Sequence, residues 1–354
     1  MNFEFTDDQQ AIKRTAREFL SARYKPETIR ELAADERGFT DQQWSAVAEL
    51  GWPGVIIPEE QGGLGLGAVE LVVIEEELGY ALAPTPLLSD VAAALILEAA
   101  GSAEQREQWL ESVADGSARG TLAVEDDGPT RFEDGKLTGS KIAVPDAGSA
   151  SLLIVAADGE HYLVRADAEG VAITPQEALD PTRKLYRVEL RDAAAEPLPG
   201  GEDDALERAY ATVAVALAAE NVGVAQRTME MAVEYAKDRK QFDRPIGAYQ
   251  AVSHRCAQML LEVEGARSLT YGAAWALDHD RMNHAGAIRA ASMAKAYAGD
   301  AGFRVSASAL QVHGGIGFTW EHDLHFFLKR ARANAHAFGD PRWHREQVAA
   351  LAGL

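Results

Sequence analysis

The sequence predicts an α+β chain, mostly α, in three parts: an N-terminal helical domain over residues 1–117, a middle antiparallel β domain over 118–200 and a C-terminal four-helix bundle over 201–354. Two observations carry this. From Gly120 to about Pro199, short β-rich runs (TLAV, KIAV, SLLIVAA, HYLVRA, VAIT and LYRVEL) are punctuated by Gly, Asp and Pro at hairpin-like intervals. On both sides of that stretch the apolar residues recur instead with the period of a packed helix. A chain of 354 residues has room for two or three such domains.

Taken in order, Thr6 followed by Gln9 matches a capping box, and Ile12, Ala16, Phe19 and Leu20 then form one apolar face. Asp41 to Leu50 reads as a second helix, stopped by Gly51-Trp52-Pro53-Gly54. After the connector VIIPEEQGGLGLG, a helix runs from about Ala68 to Leu82, where Pro84 and Pro86 end it. Asp90–Ala100 and Ala103–Val113 add two more. Beyond the β-rich part, Leu206, Tyr210, Val213, Leu217, Val224, Met231 and Tyr235 form a bundle stripe, which Glu220 and Asn221 interrupt. Helices from His254 to His279 and from Ala285 to His313 follow, the second Ala-rich enough for close packing and carrying Phe303, Val305 and Leu310 on its apolar side.

A formal net charge of −21 argues against a nucleic-acid backbone as partner but leaves room for a small phosphorylated ligand held by local arginines. The single cysteine, Cys256, cannot form an intrachain disulfide, and Met1–Leu20 has no apolar signal-peptide core. Cytoplasmic placement is the expectation. Gly63-Leu64-Gly65-Leu66-Gly67-Ala68, with Asp90 downstream, fits G-x-G-x-x-A, but no second parallel strand follows to make the βαβ crevice. Glu321-His322-Asp323-Leu324-His325 lacks the spacing of a metal set and reads as a polar turn entering a helix.

Two clusters stand apart from these decoys. In Arg239 to Gln250 (RKQFDRPIGAYQ), an Arg closes the long helix, an aromatic follows three positions later, and Pro and Gly force a bend. Arg is a forked, permanent cation suited to phosphate, and a nearby ring can cover an adenine or a ribose. In Gln311 to Asp323 (QVHGGIGFTWEHD), adjacent glycines let backbone amides approach a bulky or charged group, although a helix C-cap and a turn would leave the same trace. About two helices separate the clusters, which returns both to one end of a bundle. Together they have the parts to bind a dinucleotide pyrophosphate through Arg239 and the amides of Gly314 and Gly315.

At these residues the sequence resembles the acyl-CoA dehydrogenase family over essentially its whole length. RKQFDRPIGAYQ and QVHGGIGFTWEHD are similar to that family's two C-terminal signatures, and LGWPGVIIPEEQGGLGLG and EEELGYALAPTPLL to its N-terminal ones. The resemblance implies FAD, an acyl-CoA thioester, a carboxylate base that takes the α proton, and hydride loss from the β carbon to flavin. It implies cofactor contacts at Arg239 (pyrophosphate), Phe242, Tyr249 and Gln250 (adenosine side), and Gln241, Gln311, Gly314 and Gly315, made to FAD bound mainly by a neighbouring subunit. It also exposes departures. Phe338, in HAFGD, occupies the usual position of the catalytic Glu, and Val213 the position of the alternative base, so no catalytic residue is assigned. The family's loop at the flavin and substrate appears as AVEDDGPTRF, and its Trp-Ile-Thr strand as KIAVPDA.

A subset of the family pairs two unlike subunits for steroid side-chain degradation, and this chain looks like the subunit without a base. The expected partner is a second acyl-CoA dehydrogenase-like subunit in an α2β2 assembly. The alternatives are a self-sufficient enzyme with a displaced base at Glu207, Glu220 or Asp340, and a non-catalytic assembly subunit of the same fold.

Overall fold

The computed structural model describes residues 5–200, 203–279 and 283–354. First come helices α1 (Asp7–Arg23), α2 (Pro26–Ala34), α3 (Asp41–Ala48), α4 (Ala68–Ala81), α5 (Leu87–Ala100) and α6 (Ala103–Ala114). Strands β1 (Gly120–Ala123), β2 (Arg131–Glu133), β3 (Lys136–Pro145), β4 (Leu152–Ala157), β5 (Glu160–Arg165), β6 (Val171–Gln176), β7 (Leu185–Ala194) and β8 (Glu196–Pro197) follow. Then come α7 (Asp203–Asp238), a short ladder of β9 (Lys240–Gln241) and β10 (Arg244–Pro245), α8 (Gln250–Asp278), α9 (His284–His313), α10 (Leu324–His336) and α11 (Pro341–Leu351). Contacts group the chain into two compact units that interleave in sequence. One is Met1–Arg30, Ala68–Ala83 and Ala211–Leu354, and the other Glu31–Gly67 and Pro84–Tyr210.

In the first unit, Thr6 caps α1 through the predicted box: its hydroxyl accepts from Gln9 N, and Gln9 returns the bond to Thr6 N. The predicted stripe on α7 is an understatement, because residues 211–225 are buried on every side. One core cluster explains this, since Val69 and Val72 of α4, Val215 and Ala219 of α7, Ala273 of α8 and Ala294 of α9 all join it. α4 and α7 cross backbone to backbone: a Cβ on Gly223 would lie 1.9 Å from Glu76 O, and one on Gly79 2.0 Å from Glu220 O. Only glycine fits at that crossing. Helices α8, α10 and α11 pack on α9, with Val305 and Leu310 buried but Phe303 and Met293 partly exposed.

The second unit holds two four-stranded sheets, ordered β1-β4-β5-β8 and β2-β3-β7-β6, around an apolar core that includes Leu137, Leu153, Val155, Val164 and Val188. All six predicted runs form strands. The turns follow their sequences: Asp134-Gly135 joins β2 to β3 and Asp158-Gly159 joins β4 to β5, both residues of each pair at positive φ, the I′ hairpin geometry. One pairing corrects the expectation of a wholly antiparallel domain, because β1 runs parallel to β4. The chain visits the other sheet as β2 and β3 before returning as β4, and such a crossover permits parallel neighbours. The short elements α2, α11, β2 and β8 add to the predicted set, and α8 begins at Gln250 rather than His254.

Candidate functional site

Two sequence clusters meet at one end of the helical unit. Arg239 N donates to Tyr235 O (2.9 Å), so Arg239 continues the last turn of α7. The Tyr235 ring stacks on His313, the last residue of α9, with centroids 4.4 Å apart and planes 23° from parallel. Beneath them Ala232, Ala236, Met259, Leu310 and Val312 share a core cluster against which Ile246 packs.

On the first arm, β9 and β10 form a hairpin whose two turn residues, Phe242 (φ +51°) and Asp243 (φ +62°), sit in the left-handed region. Neither is glycine, so this turn adopts the same backbone as the Asp-Gly hairpins at a cost of roughly 1 kcal/mol per residue. It leaves Phe242 88% exposed. Tyr249 Oη donates to Gln241 O (3.2 Å), and the Arg244 guanidinium lies 4.0 Å from the Tyr249 ring. Gln250 opens α8. Arg239 is exposed and its guanidinium pairs with no described residue.

On the second arm, Gln311 is exposed on the last turn of α9. Gly314 then ends the helix at φ +64°, ψ −140°, which only glycine adopts without strain. A Cβ on Gly314 or Gly315 would meet nothing within 4 Å, so the turn is open on that side, although the Gly314 N–H itself donates to Leu310 O to close α9. The Arg239 guanidinium, the side-chain amides of Gln241 (one N–H of which donates to Lys240 O, 2.9 Å) and Gln311, and the open glycine turn are groups able to face a pyrophosphate. The chain fits the group. Phe242 and Gln250 belong to the first arm only.

The turn between α10 and α11 presents no comparable surface. Phe338 (φ +53°) and Gly339 (φ +95°) bend the chain, and Lys295, 1% exposed on α9, donates to Asn334 O (2.9 Å), Ala335 O (3.1 Å) and Gly339 O (3.1 Å). Burial pushes the Lys295 ammonium down to about 7, against the pull of Asp340. His344 Nε2 donates to Phe338 O (3.1 Å), and its Nδ1 lies 3.3 Å from Ser292 Oγ. Burial, then the neighbouring Lys295, lowers His344 to about 4.

Asp340 caps α11 by accepting from Trp343 N (2.7 Å), and that bond holds it below the usual carboxylate range. Glu220 pairs with Arg330 of α10, both 1% exposed, which explains a charge inside the α7 stripe. Glu207 lies exposed near the start of α7, and Val213 is fully buried in it.

In the β-rich unit, KIAVPDA turns Lys141 fully inward, where Nζ donates to Asp126 Oδ1 (2.6 Å) of the AVEDDGPTRF loop. Thr130 also donates to Asp126 (2.8 Å), and Arg187 pairs with Asp127, so the loop is tied down by its own charges. The G-x-G-x-x-A stretch is a compact turn: Leu64 N donates to Gly54 O (2.8 Å), and a Cβ on Gly63 would lie 2.0 Å from Ile57 O. Asp90, buried and raised by that burial, accepts from Gly120 N (2.7 Å) instead of facing a crevice. Asp323 forms an ion pair with Arg30 (2.5 Å), and His322 Nδ1 accepts from Leu324 N (3.3 Å). Among the described residues no group of side chains is arranged to hold a metal.

Sequence reading missed Tyr235, His313, Lys295 and His344. The stacking of His313 on Tyr235 left no trace in spacing.

Comparison with known proteins places the architecture. Residues 6–117 match the family described as acyl-CoA dehydrogenase, N-terminal domain, and residues 205–352 the one described as acyl-CoA dehydrogenase, C-terminal domain. Acyl-CoA dehydrogenase IpdE2 of Mycobacterium tuberculosis is 34% identical over 341 residues, covering 95% of this chain and 94% of the relative. Among solved structures, a variant of the Tcur3481–Tcur3483 steroid ACAD superposes with a TM-score of 0.90 at 30% identity, covering 98% of each chain. The ChsE4–ChsE5 complex from Mycobacterium tuberculosis also gives 0.90, at 29% identity, covering 100% of this chain and 99% of the other.

Proposed function

Because the chain belongs to the acyl-CoA dehydrogenase family, we propose that it works as one half of a heteromeric, FAD-dependent acyl-CoA dehydrogenase whose partner subunit carries the base. The observation that carries this is a pairing within one unit. Arg239 is exposed and pairs with no described residue and the Gly314–Gly315 turn is open on one side, while the two base positions hold Val213 and Phe338, which cannot take a proton. Arg239, Gln241, Gln311, Gly314 and Gly315 bind the pyrophosphate side of FAD, and Phe242, Tyr249 and Gln250 its adenosine side. FAD, when bound, supplies the hydride acceptor for α,β-dehydrogenation of the thioester. The partner is a second chain of the same fold in an α2β2 assembly, as the paired names of the two solved relatives favour. The acyl group is a steroid side chain, by analogy with the relative named a steroid ACAD.

The test is to purify the chain alone and in the assembly recovered from its own cells, then measure bound flavin and acyl-CoA oxidation for each. The proposal expects both only in the assembly. Stoichiometric FAD and turnover in the chain alone would overturn it.

A further inference from the structure

Arg239 and the Gly314–Gly315 turn, the two arms of the cofactor clamp, lie more than seventy residues apart in sequence, yet one side chain joins them. His313 is buried at the end of α9, with its ring stacked on Tyr235, one turn before Arg239, and His322 edge-on to it with centroids 4.7 Å apart. Its Nδ1 donates to Ala309 O (2.9 Å), because a carbonyl can only accept, and this fixes the ring orientation. The same residue floors the glycine turn, since a Cβ on Gly317 would come within 3.0 Å of His313 Cβ. His313 therefore meets the helix that leads to Arg239 and the segment leaving the turn through its ring, and the glycine turn through its Cβ.

We propose that His313 is a positioning residue: it sets the separation of Arg239 from the Gly314–Gly315 peptides, so that the two arms bind FAD as one element. The inference rests on the clamp assignment above and adds the part that makes the clamp a unit. A pyrophosphate bridging two donors gains from both only if their separation is already correct, because ordering them on binding offsets the gain. Tyr235 and His313 supply that order through stacked rings, which have few rotatable bonds.

The experiment uses the flavin-loaded assembly isolated from its own cells through a tag on this chain, and it reads the FAD dissociation constant by flavin fluorescence. His313→Ala should weaken FAD about tenfold, whereas His313→Phe, which keeps the stacked ring, should stay within about threefold of the unmodified protein. In the Arg239→Ala background the His313→Ala effect should shrink to less than about threefold, because one arm then has nothing to be aligned with. Val305→Ala, a truncation in the same core cluster, should lower the melting temperature without moving the dissociation constant. His313→Gln takes the place of the alanine variant if that one does not fold. If Arg239→Ala leaves FAD affinity unchanged, the clamp assignment fails and this inference with it. If Arg239→Ala weakens FAD but the ring-removing His313 variant does not, or if Val305→Ala weakens it equally, only the positioning role is overturned.

Discussion

The clamp and the turn at Phe338 lie in the same unit and are built from the same helices, yet they treat their polar groups in opposite ways. At the clamp, Arg239 pairs with no described residue, Phe242 is held outward by a strained hairpin, and a Cβ on Gly314 or Gly315 would meet only open space. At the Phe338 turn, Lys295 and His344 consume the carbonyls of Asn334, Ala335, Phe338 and Gly339, and Asp340 is spent on a helix cap. A surface with unspent donors is built for an outside ligand. A turn whose main-chain carbonyls are engaged within the chain in this way is built for stability, and its Phe338 side chain cannot move a proton.

Substitutions that break the inward-facing part should therefore destabilise the chain without touching flavin affinity. The largest effect is expected from Arg330→Met, which strands Glu220 in the interior and should cost roughly 3–5 kcal/mol in urea denaturation. Lys295→Met should follow at about 2–4 kcal/mol, since three carbonyls at and just beyond the end of α10 lose their buried donor. In both variants the molecules that remain folded should bind FAD as the parent does, measured by fluorescence titration of the assembly.

A pH series tests the same turn without mutation. Folding depresses His344 from 6.5 to about 4, so the unfolded chain takes up the proton first as the pH falls. Its contribution is complete above about pH 6.5 and is lost on going down to about pH 4, of order 1–3 kcal/mol. His344→Gln should flatten that part of the stability profile followed by thermal unfolding. The smallest stability effect belongs to the clamp. Gly314→Ala should cost about 1–2 kcal/mol through its backbone conformation. It should nevertheless weaken FAD more than any substitution at the Phe338 turn, because its methyl group enters the open face.

Much of this organisation was legible in the sequence because it rests on local chemistry. The capping box at Thr6 and Gln9, the Asp-Gly hairpins and the proline stop after α4 follow from short-range backbone preferences. The two clamp segments were visible as an arginine helix end and a glycine break, and their return to one end followed from the count of helices between them. What stayed hidden depends on neighbours distant in sequence. Nothing in the run around Val213 shows that residues 211–225 of α7 are enclosed on all sides, and the partner of Glu220 lies 110 residues away. The hairpin at Phe242-Asp243 escaped notice because it lacks the glycine that marks such turns. The stack of Tyr235 on His313 exists only once two helix ends have been brought together.

The most direct test of the central claim is solvent deuterium exchange at the α carbon of an acyl-CoA, measured in the flavin-loaded assembly. The account predicts that exchange persists when Glu207→Gln, Glu220→Gln and Asp340→Asn are introduced one at a time into this chain, and that the chain alone exchanges nothing. Loss of exchange in any one of those folded variants, or exchange by the isolated chain, would contradict it.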